Sequence, residues 1–371
     1  ETLEVGERQR VEIIKVLYRG ARILILDEPT SVLVPQEVEE LFRNLRELKA
    51  RGHTILFIDH KLEEVLAIAD TVTVLRQGRT MATVDPKRVT ASELAELMVG
   101  SELPSPSTEP RAVDDHVSLS LSDVMVLDET KRPALDNVSL AVRRGEILGV
   151  AGVEGNGQGE LIEAILGLRS IEDGGQILLD GEEISTWSVR RRREALIGYV
   201  PEDRHRRGLL LDAPLWENAM LGHQTMEPFA RGPLLDRRRS REATTRIVKD
   251  FDVRTPSIDT SARALSGGNQ QKLVIGREMA ASPRLLIAAH PTRGIDVGAQ
   301  AAVWEELRTA RRNGLALLLV SADLEELLGL ADRLVVMLRG RVVAELDPGT
   351  TTPRQLGGYM TGAEDVTGDE E

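Results

Sequence analysis

The feature that most constrains this chain is an internal repeat. Residues 3–100 align without a gap on residues 265–362, at a constant offset of 262. The alignment pairs identical residues along its whole length: Leu3 with Leu265, Gly6 with Gly268, Pro29 with Pro291, Thr30 with Thr292, Asp70 with Asp332 and Gly100 with Gly362. Self-similarity at a fixed spacing indicates a duplicated structural unit. We therefore expect two copies of one domain.

The segment from about residue 118 to residue 264 has no counterpart in the chain. A counterpart of Gly152 would lie about 110 residues before residue 1, because 152 minus 262 is −110. We therefore expect the first domain to lack its front half, and residue 1 is Glu rather than Met. The predicted division is the C-terminal part of a first domain in 1–100, a linker rich in Pro, Ser and Glu in 101–117, a second domain in 118–362 and an acidic tail without ordered structure in 363–371.

Short apolar runs alternate with amphipathic stretches in both repeats. We predict strands at 23–26 and 54–58 in the first repeat and at 285–288 and 316–320 in the second. A further strand is predicted to open at 145–149, and a helix to cover 160–168. Strands alternating with helices indicate an α/β fold with a mostly parallel sheet, which binds ligands at the C-terminal ends of its strands.

Composition and charge limit the kinds of partner and ligand that the chain can bind. The net charge of −13 argues against broad nucleic-acid binding, which needs a basic face. No apolar run approaches the roughly 20 residues that a membrane-spanning helix needs, so any membrane role is expected to come through partners. The absence of cysteine excludes disulfides and thiolate metal sites.

The segment ILILDEPT, residues 23–30, places two carboxylates at the end of a predicted strand. Asp27 is a candidate magnesium ligand, and Glu28 a candidate base for a water that attacks a terminal phosphate. His60, after the next strand, is a candidate for holding that water in line. The alternative is that the acids and the histidine are ordinary solvated strand ends.

A glycine-rich turn lies between the predicted strand at 145–149 and the predicted helix at 160–168. Gly152, Gly155, Asn156 and Gly157 are placed so that backbone N–H groups can surround a phosphate. A standard phosphate loop continues with Lys and then Ser or Thr. Here Gln158, Gly159 and Glu160 follow, which removes the cation and the hydroxyl and adds a carboxylate.

The segment LSGGNQQK, residues 265–272, predicts a helix capped by Ser266, with Gly267 and Gly268 at its beginning. The N-terminus of such a helix offers unpaired N–H groups to a phosphate. The alternative is a plain helix cap, which explains the serine and leaves the two consecutive glycines unexplained.

With LSGGNQQK, ILILDEPT and His60, the chain resembles the ATP-binding cassette (ABC) ATPases over nearly all of its length. The resemblance implies an α/β fold of tandem ABC-type ATPase domains, each with a P-loop NTPase core of mostly parallel sheet, a helical subdomain and a small antiparallel β subdomain. It also implies ATP and Mg²⁺ as ligands. In this family two cassettes meet head to tail, so that each ATP lies between the phosphate loop of one and the LSGGQ-like segment of the other.

That arrangement sorts the candidate residues into two sites. The resemblance implies one site that contains the catalytic residues Glu28 and His60, the metal ligand Asp27, and the nucleotide-binding residues Ser266, Gly267, Gly268, Asn269 and Asp296.

The other site contains the altered loop from Gly152 to Glu160 together with Glu202. At offset 262 its Ala289, His290 and Ala322 replace Asp27, Glu28 and His60, while Glu4, Val5 and Val34 replace Ser266, Gly267 and Asp296. All losses fall on this second site, which predicts one hydrolytic and one degenerate site. The chain as given, without a first phosphate loop, is expected to be inactive alone.

VPEDR, LSGGNQQK and HPTRGID resemble the second cassette of carbohydrate-type importers, and LYRGARILILDEPT and GVEGNGQGE are closer to nucleoside importers. The implied function is to energise import of nucleosides or simple sugars from the cytoplasmic face of a bacterial cell membrane, peripherally bound to it. The implied partners are transmembrane permease subunits and, through the complex, an extracytoplasmic solute-binding protein, with no nucleic acid. Residues 215–221 are a candidate surface for the permease, with internal packing as the alternative.

Two other hypotheses about the function of the chain remain open. One is a soluble twin-cassette ATPase that acts on ribosomes or DNA, and the short linker and the degenerate site disfavour it. The other is a catalytically inactive chain used only as a binding module.

Overall fold

The computed structural model describes residues 20–30, 33, 35–59, 61–76, 78–99, 113–153 and 155–362, together with residues 11, 15 and 18. Glu4, Val5, Val34 and His60, the residues predicted to form most of the linker, and the acidic tail lie outside the described residues. The chain divides into two compact units. The first comprises Glu1–Ser105 with Asp296–Ala301, and the second comprises Pro106–Ile295 with Ala302–Glu371.

The first unit contains two small sheets and three helices among its described residues. In chain order its elements are β1 (Ile23–Asp27), α1 (Pro35–Ala50), β2 (Thr54–Ile58), α2 (Leu62–Ile68), β3 (Val72–Arg76), β4 (Arg79–Val84), a 3₁₀ turn at Pro86–Arg88 and α3 (Ala91–Val99). β1 and β2 pair in parallel, and β3 and β4 pair antiparallel. The core of this unit is the apolar face of α1, where Phe42 and Leu45 pack with Phe57 of β2.

One face of the β1–β2 sheet is not covered by other described residues. Ile23, Ile25 and Leu56 are 65%, 66% and 54% exposed, whereas Leu24 on the opposite face is 2% exposed. Alternate side chains of a strand point to opposite faces, so the same two strands present one buried and one open apolar surface.

The second unit is built on a six-stranded sheet of order β10-β13-β14-β7-β15-β16. Its strands are β7 (Ile147–Ala151), β10 (Ile197–Val200), β13 (Leu285–Ala289), β14 (Ala316–Ser321), β15 (Arg333–Leu338) and β16 (Arg341–Leu346). All pairs are parallel except the edge pair of β15 and β16. Every residue of β7, β13 and β14 is buried, as expected for parallel strands covered on both faces.

A second, antiparallel sheet of order β6-β5-β8-β9 completes the strand architecture around this core. It consists of β5 (Val117–Leu127), β6 (Pro133–Arg143), β8 (Gln176–Leu179) and β9 (Glu182–Glu183). Leu119, Val126 and Leu135 are fully buried in one hydrophobic cluster with Leu148 and Val150 of β7. The mostly parallel sheet and the small antiparallel sheet match the predicted α/β architecture of one such domain.

The part of the second unit that the structure describes also contains eight helices. They are α4 (Gln158–Leu166), α5 (Val189–Glu194), α6 (Leu215–Ala219), α7 (Arg237–Asp250), α8 (Gly267–Ala280), α9 (Val297–Arg312), α10 (Leu324–Leu330) and α11 (Pro353–Thr361). A π-helical turn at Arg204–Gly208, a 3₁₀ turn at Ala262–Ala264 and a short hairpin of β11 (Ala230–Arg231) with β12 (Leu234–Leu235) lie between them. The helix predicted at 160–168 begins and ends two residues earlier than expected.

A buried acid on α8 ties this helix to β10 and to α5. Glu278 of α8 is 1% exposed and accepts hydrogen bonds from the guanidinium groups of Arg277, at 2.9 Å, and Arg193, at 2.8 Å. It also accepts the backbone N–H of Tyr199 at 3.1 Å. Burial alone would raise the pKa of Glu278, but Arg277, His223 and Arg193 outweigh it and hold that pKa well below its usual range.

The elements of the first unit recur in the same order at the C-terminal end of the chain. Each starting residue differs from its counterpart by 262 or 261: β1 and β13, α1 and α9, β2 and β14, α2 and α10, β3 and β15, β4 and β16, α3 and α11. The pairing register is also the same, because Asp27 lies opposite Ile58 as Ala289 lies opposite Val320. Both antiparallel pairs carry a register shift at the same place, between Val74 and Leu75 and between Val336 and Met337.

The four strands predicted within the repeats are confirmed to within one residue, and the earlier strand forms at Ile147–Ala151. The predicted linker boundary at residue 117 is one residue late, since β5 begins at Val117. Among the described residues, none of the helices has the length and apolarity required to span a membrane.

Candidate functional site

The second unit contains a cavity of about 1110 Å³ at the C-terminal ends of β7, β10, β13 and β14. Parallel α/β sheets bind ligands at this edge, and the volume suits a ligand the size of a nucleotide. Eight residues that the sequence singled out line it: Gly152, Gly155, Gln158, Gly159, Glu160, Glu202, Ala289 and His290. The fold thus brings together the altered glycine loop, the turn after β10 and the end of β13.

The glycine loop is tightly packed and requires glycine at two positions. Gly157 has a φ of +104°, and a Cβ there would lie 3.0 Å from the carbonyl oxygen of Ala134. A Cβ on Gly152 would lie 2.8 Å from the carbonyl oxygen of Met337. Asn156 does not line the cavity; its side-chain oxygen accepts the backbone N–H of Arg339 at 2.9 Å, which fastens the loop to the end of β15.

Gln158 occupies the first position of α4, where a standard phosphate loop carries lysine. Its side-chain amide donates a hydrogen bond to the carbonyl oxygen of Val153, at 3.1 Å, and the residue is 8% exposed. The amide therefore braces the loop from within. Gly159 and Glu160 follow on the same helix, so the N-terminus of α4 presents backbone N–H groups together with a carboxylate.

At the end of β13, His290 takes the position that Glu28 has in the first unit. Its φ is +45°, and its backbone N–H donates to the carbonyl oxygen of Val320 at 2.8 Å. The backbone N–H of Ala322 donates to Nδ1 of the imidazole at 3.4 Å. The chain therefore retains the turn at this strand end, while Ala289 and Ala322 supply no carboxylate and no imidazole.

Charged side chains of both signs form the rest of the wall. Five arginines line the cavity against four carboxylates: Arg169, Arg204, Arg206, Arg207 and Arg293 against Glu160, Glu163, Glu202 and Asp203. Several are paired with each other: Glu202 binds Arg293, and Glu163 lies 3.1 Å from Arg169 and 3.6 Å from Arg207. The side chains that line the cavity carry one more positive than negative formal charge. Because several of the arginines are paired, they attract an anionic ligand less strongly than the unpaired lysine of a standard phosphate loop.

The LSGGNQQK segment forms the beginning of α8. Ser266 stands at the N-cap position, but its hydroxyl makes no cap bond to the helix backbone and instead accepts the side-chain amide of Asn269 at 2.9 Å. Asn269 also accepts the backbone N–H of Arg254 at 2.8 Å. The predicted capping role of the serine is therefore not seen, and the first N–H groups of the helix lack that partner. Gly267 and Gly268 are the first two residues of the helix.

Asp296 caps α9. Its carboxylate accepts the backbone N–H of Ala299 at 2.9 Å, and its carbonyl oxygen accepts that of Gln300 at 2.9 Å.

In the first unit, Asp27 is the last residue of β1 and is exposed at the strand end. Glu28 follows with a φ of +44°, and its backbone N–H donates to the carbonyl oxygen of Ile58 at 2.8 Å. This is the conformation and the hydrogen bond found at His290. The two copies therefore differ at this point in side-chain chemistry and share backbone geometry.

The loop after β1 is fixed by residues of the β2 end. The Thr30 hydroxyl donates to the Asp59 carboxylate at 3.0 Å, and Lys61 donates to the Thr30 carbonyl oxygen at 3.4 Å. Burial raises the pKa of Glu64, which lies on the following helix, and the charge of Lys61 opposes the shift.

The sequence reasoning missed Arg204, His205 and Ser321 as wall residues. Ser321 ends β14, so its position at the sheet edge was available from the strand prediction. Arg204 ends the VPEDR motif, but the motif does not indicate its contacts, because Arg204 and His205 lie on a turn whose partners are more than 60 residues away in sequence.

A family model described as ABC transporter matches residues 135–293. The chain is 45% identical over 362 residues to the guanosine import ATP-binding protein NupO of Bacillus subtilis, covering 97% of this chain and 71% of that protein. It is 42% identical to the nucleoside import ATP-binding protein NupA of Lactococcus lactis, covering 97% and 71%. It is 40% identical to a ribose import ATP-binding protein of Streptomyces avermitilis, covering 93% and 64%.

Solved structures show the same fold. The ADP conformation of an ATP-binding cassette of an ABC transporter superposes with a TM-score of 0.53 and 20% identity, covering 66% of this chain and 95% of that one. A dimeric cassette in a post-hydrolysis state bound to ADP and Pi gives a TM-score of 0.54 and 21% identity, covering 62% and 98%.

Proposed function

This chain belongs to the ATP-binding proteins of ABC transporters, and from that premise we propose that its ATPase activity drives import of a nucleoside or a simple sugar. The names of the relatives support both substrate classes: guanosine and nucleosides on one side, ribose on the other. The identities do not separate the two classes, because a glucose import ATP-binding protein of Haloferax volcanii is 43% identical, between the 45% and 42% of the two nucleoside importers.

The observation that carries the mechanism is the difference between two strand ends with the same backbone. Glu28 and His290 have φ values of +44° and +45° and make the same backbone hydrogen bond. Only the first is preceded by an acid, Asp27, while the second is preceded by Ala289. We propose that hydrolysis depends on the β1 end and that the β13 end has no hydrolytic role. The repetition of elements at one offset supports twin cassettes, of which the first is represented by its C-terminal part.

The chemistry of ATP hydrolysis suggests a role for each candidate residue near the end of β1. Glu28 accepts a proton from the attacking water, and His60 orients that water toward the terminal phosphate. Asp27 fits a magnesium ion that arrives with the nucleotide, because Mg²⁺ at such sites takes one or two carboxylates and completes its shell with water and phosphate oxygens. Within the described residues, no group of three or more His, Cys, Asp or Glu is placed to hold a metal by itself. When bound, the ion would neutralise phosphate charge.

The cavity of the second unit is proposed to bind nucleotide without hydrolysing it. The N-terminus of α4 and the neighbouring arginines favour phosphate, whereas Glu160 opposes it and Gln158 supplies no cation. Ser266, Gly267, Gly268, Asn269 and Asp296 are proposed to serve the hydrolytic site, through the N–H groups at the beginning of α8.

The proposed setting is the cytoplasmic face of a bacterial membrane, with permease subunits as direct partners and a solute-binding protein reached through them. Leu215 and Ala219 are fully buried inside the unit, so the proposed permease surface is limited to the half-buried residues Trp216, Glu217, Met220 and Leu221. A role on ribosomes or DNA is not favoured, because the relatives are import proteins and the chain carries a net charge of −13.

The test is steady-state ATP hydrolysis by the full-length protein, with Glu28→Gln compared with His290→Glu. Glu28→Gln removes the base and should lower kcat about 100-fold or more. His290→Glu restores a carboxylate next to Ala289, where no metal ligand exists, and should leave kcat unchanged. Turnover that survives Glu28→Gln would refute the proposed catalytic role, as would a large gain in kcat from His290→Glu.

A further inference from the structure

The turn that follows β10 has an unusual conformation, held by one side chain. The Asp203 carboxylate accepts the backbone N–H groups of His205 and Arg206 at 3.0 and 3.1 Å, and its carbonyl oxygen accepts that of Arg207 at 2.9 Å. These bonds cap the π-helical turn Arg204–Gly208 at its N-terminus. Arg204 and His205 are thus fixed at their backbone before their side chains make any contact.

The Arg204 guanidinium links two distant segments. Its two terminal nitrogens donate to the carbonyl oxygens of Arg293, at 2.9 Å, and Gly294, at 3.1 Å. Its Nε donates to the side-chain oxygen of Gln270 at 3.3 Å. One side chain therefore ties the loop after β13 to the first turns of α8.

Gln270 is the matching element on α8. Its side-chain oxygen also accepts Nε2–H of His205 at 2.8 Å, and its amide donates to the carbonyl oxygen of Ala262 at 3.0 Å. The residue is 5% exposed. Its hydrogen-bonding groups are therefore committed to Arg204, His205 and the turn that precedes α8.

Gly267 lies directly on this cluster. A Cβ at Gly267 would lie 2.8 Å from Nη2 of Arg204 and 3.0 Å from the carbonyl oxygen of Gly294. The first residue of α8 is therefore packed against the guanidinium and has no room for a side chain. Any displacement of Arg204 would allow the beginning of α8 to move.

We propose that Arg204 is a positioning residue for ATP turnover, acting through Gln270 and Gly267 to fix the N-terminal turn of α8. This rests on the proposed function, in which the N–H groups at that turn serve the hydrolytic site. Hydrogen-bond donors aimed at a developing phosphate charge act only when they are held in place in advance. Arginine suits this role and lysine does not, because three directed bonds from a planar group cannot be reproduced by one ammonium.

The experiment compares Arg204→Ala and Arg204→Lys with the control Arg263→Ala in the full-length protein. Arg263 lies three residues before Ser266, and its exposed side chain pairs with the exposed Asp212 at 2.8 Å. We measure kcat and KM for ATP, the thermal midpoint Tm, and tryptophan fluorescence. Both Arg204 variants should lower kcat about tenfold or more, with KM and Tm little changed. The control should match the wild type in all four measurements.

A double variant separates positioning from a general structural effect. Gly267→Ala should lower kcat by displacing the same turn, and Arg204→Ala combined with it should be no worse than the more severe single variant. Losses that multiply would show that Arg204 acts elsewhere, and normal kcat in folded Arg204→Lys would overturn the proposal. If Arg204→Ala does not fold, Arg204→Lys decides. Failure of the proposed function is distinguishable, because then Glu28→Gln would leave turnover intact whatever Arg204 does.

Discussion

At the scale of single residues, Glu326 is a fully buried acid. It is 0% exposed, and its Oε1 accepts the Thr292 hydroxyl at 2.8 Å and the Trp304 indole N–H at 3.1 Å. Burial raises the pKa of Glu326 to about 7; the charge of Asp323 adds to the shift, and hydrogen bonds from Ser321, Thr292 and Trp304 reduce it. Its counterpart Glu64 in the first unit also has a raised pKa, with burial as the main cause.

The raised pKa predicts a pH dependence of stability. Because the folded-state pKa lies above the ordinary value of 4.5, the folded chain binds more protons between pH 4.5 and 7. The contribution of Glu326 to the free energy of unfolding should therefore fall by about 3 kcal/mol as the pH rises through that window. Glu326→Gln should remove this part of the slope, as measured by urea unfolding at pH 5 and pH 7. Tryptophan fluorescence is a suitable probe, since all three tryptophans lie in the second unit.

The matched control is Glu325→Gln, which changes an exposed glutamate one position earlier. Its slope should equal that of the wild type. An unchanged slope in Glu326→Gln would mean that this carboxyl is ionised at pH 5 in the folded chain.

At the scale of elements, α4 ends against a buried arginine. Arg192 is 2% exposed and donates to the carbonyl oxygens of Ala164 and Ile165, both at 2.7 Å, and of Ser185 at 2.8 Å. Burial lowers the pKa of Arg192 to about 10, so the group stays charged near neutral pH. It satisfies carbonyl groups of the last helical turn, which have no partner within the helix.

Arg192→Met keeps the apolar stem and removes this donor from the carbonyl groups of Ile165 and Ser185, while Ala164 keeps the Gly167 backbone N–H at 3.1 Å. We expect it to lower the unfolding free energy by about 3 kcal/mol, the result of losing several bonds to a charged donor. Arg190→Met, which removes the exposed partner of Glu194, should change it by less than about 0.5 kcal/mol. Urea unfolding followed by tryptophan fluorescence compares the two. Equal stability of the Arg192 and Arg190 variants would contradict this account of the helix end.

The elements differ in how far the sequence predicts them. The strands of both repeats were predictable, because short apolar runs between polar turns have few other structures open to them. The start of α4 was placed two residues late, since Gln158 and Gly159 read as loop until Gly157 is seen to cap the helix with a positive φ. The turn Arg204–Gly208 was not predictable, because the VPEDR motif contains Asp203 but gives no sign that its side chain caps a turn.

The candidate site divides in the same way. The ends of β1 and β13 follow from one motif repeated at a fixed offset, and the glycine loop follows from its place between a predicted strand and a predicted helix. The contacts of Arg204 with Arg293 and Gly294 join positions about 90 residues apart and use backbone acceptors, which any residue type offers. A sequence alone therefore indicates which residues lie at the sheet edge, and the hydrogen bonds that orient them require the fold.

At the scale of the whole molecule, one hydrolytic site and one silent site predict a fixed stoichiometry. A rapid mixture of the full-length protein with saturating ATP should release at most one phosphate per chain in the first turnover, measured by quench-flow. Glu28→Gln should still bind nucleotide, measured by filter retention, while releasing none. A burst of two phosphates per chain would contradict the division of labour proposed between the β1 and β13 ends.

The shared backbone of Glu28 and His290 has a further consequence for anyone who redesigns the protein. A positive φ followed by the same inter-strand hydrogen bond survives with glutamate in one copy and histidine in the other. The bend is thus a property of the scaffold and does not depend on the reaction. Restoring activity to the copy that we propose is silent would then require new side chains at Ala289, His290, Ala322, Gln158, Gly159 and Glu160, and the backbone at the end of β13 would need no remodelling.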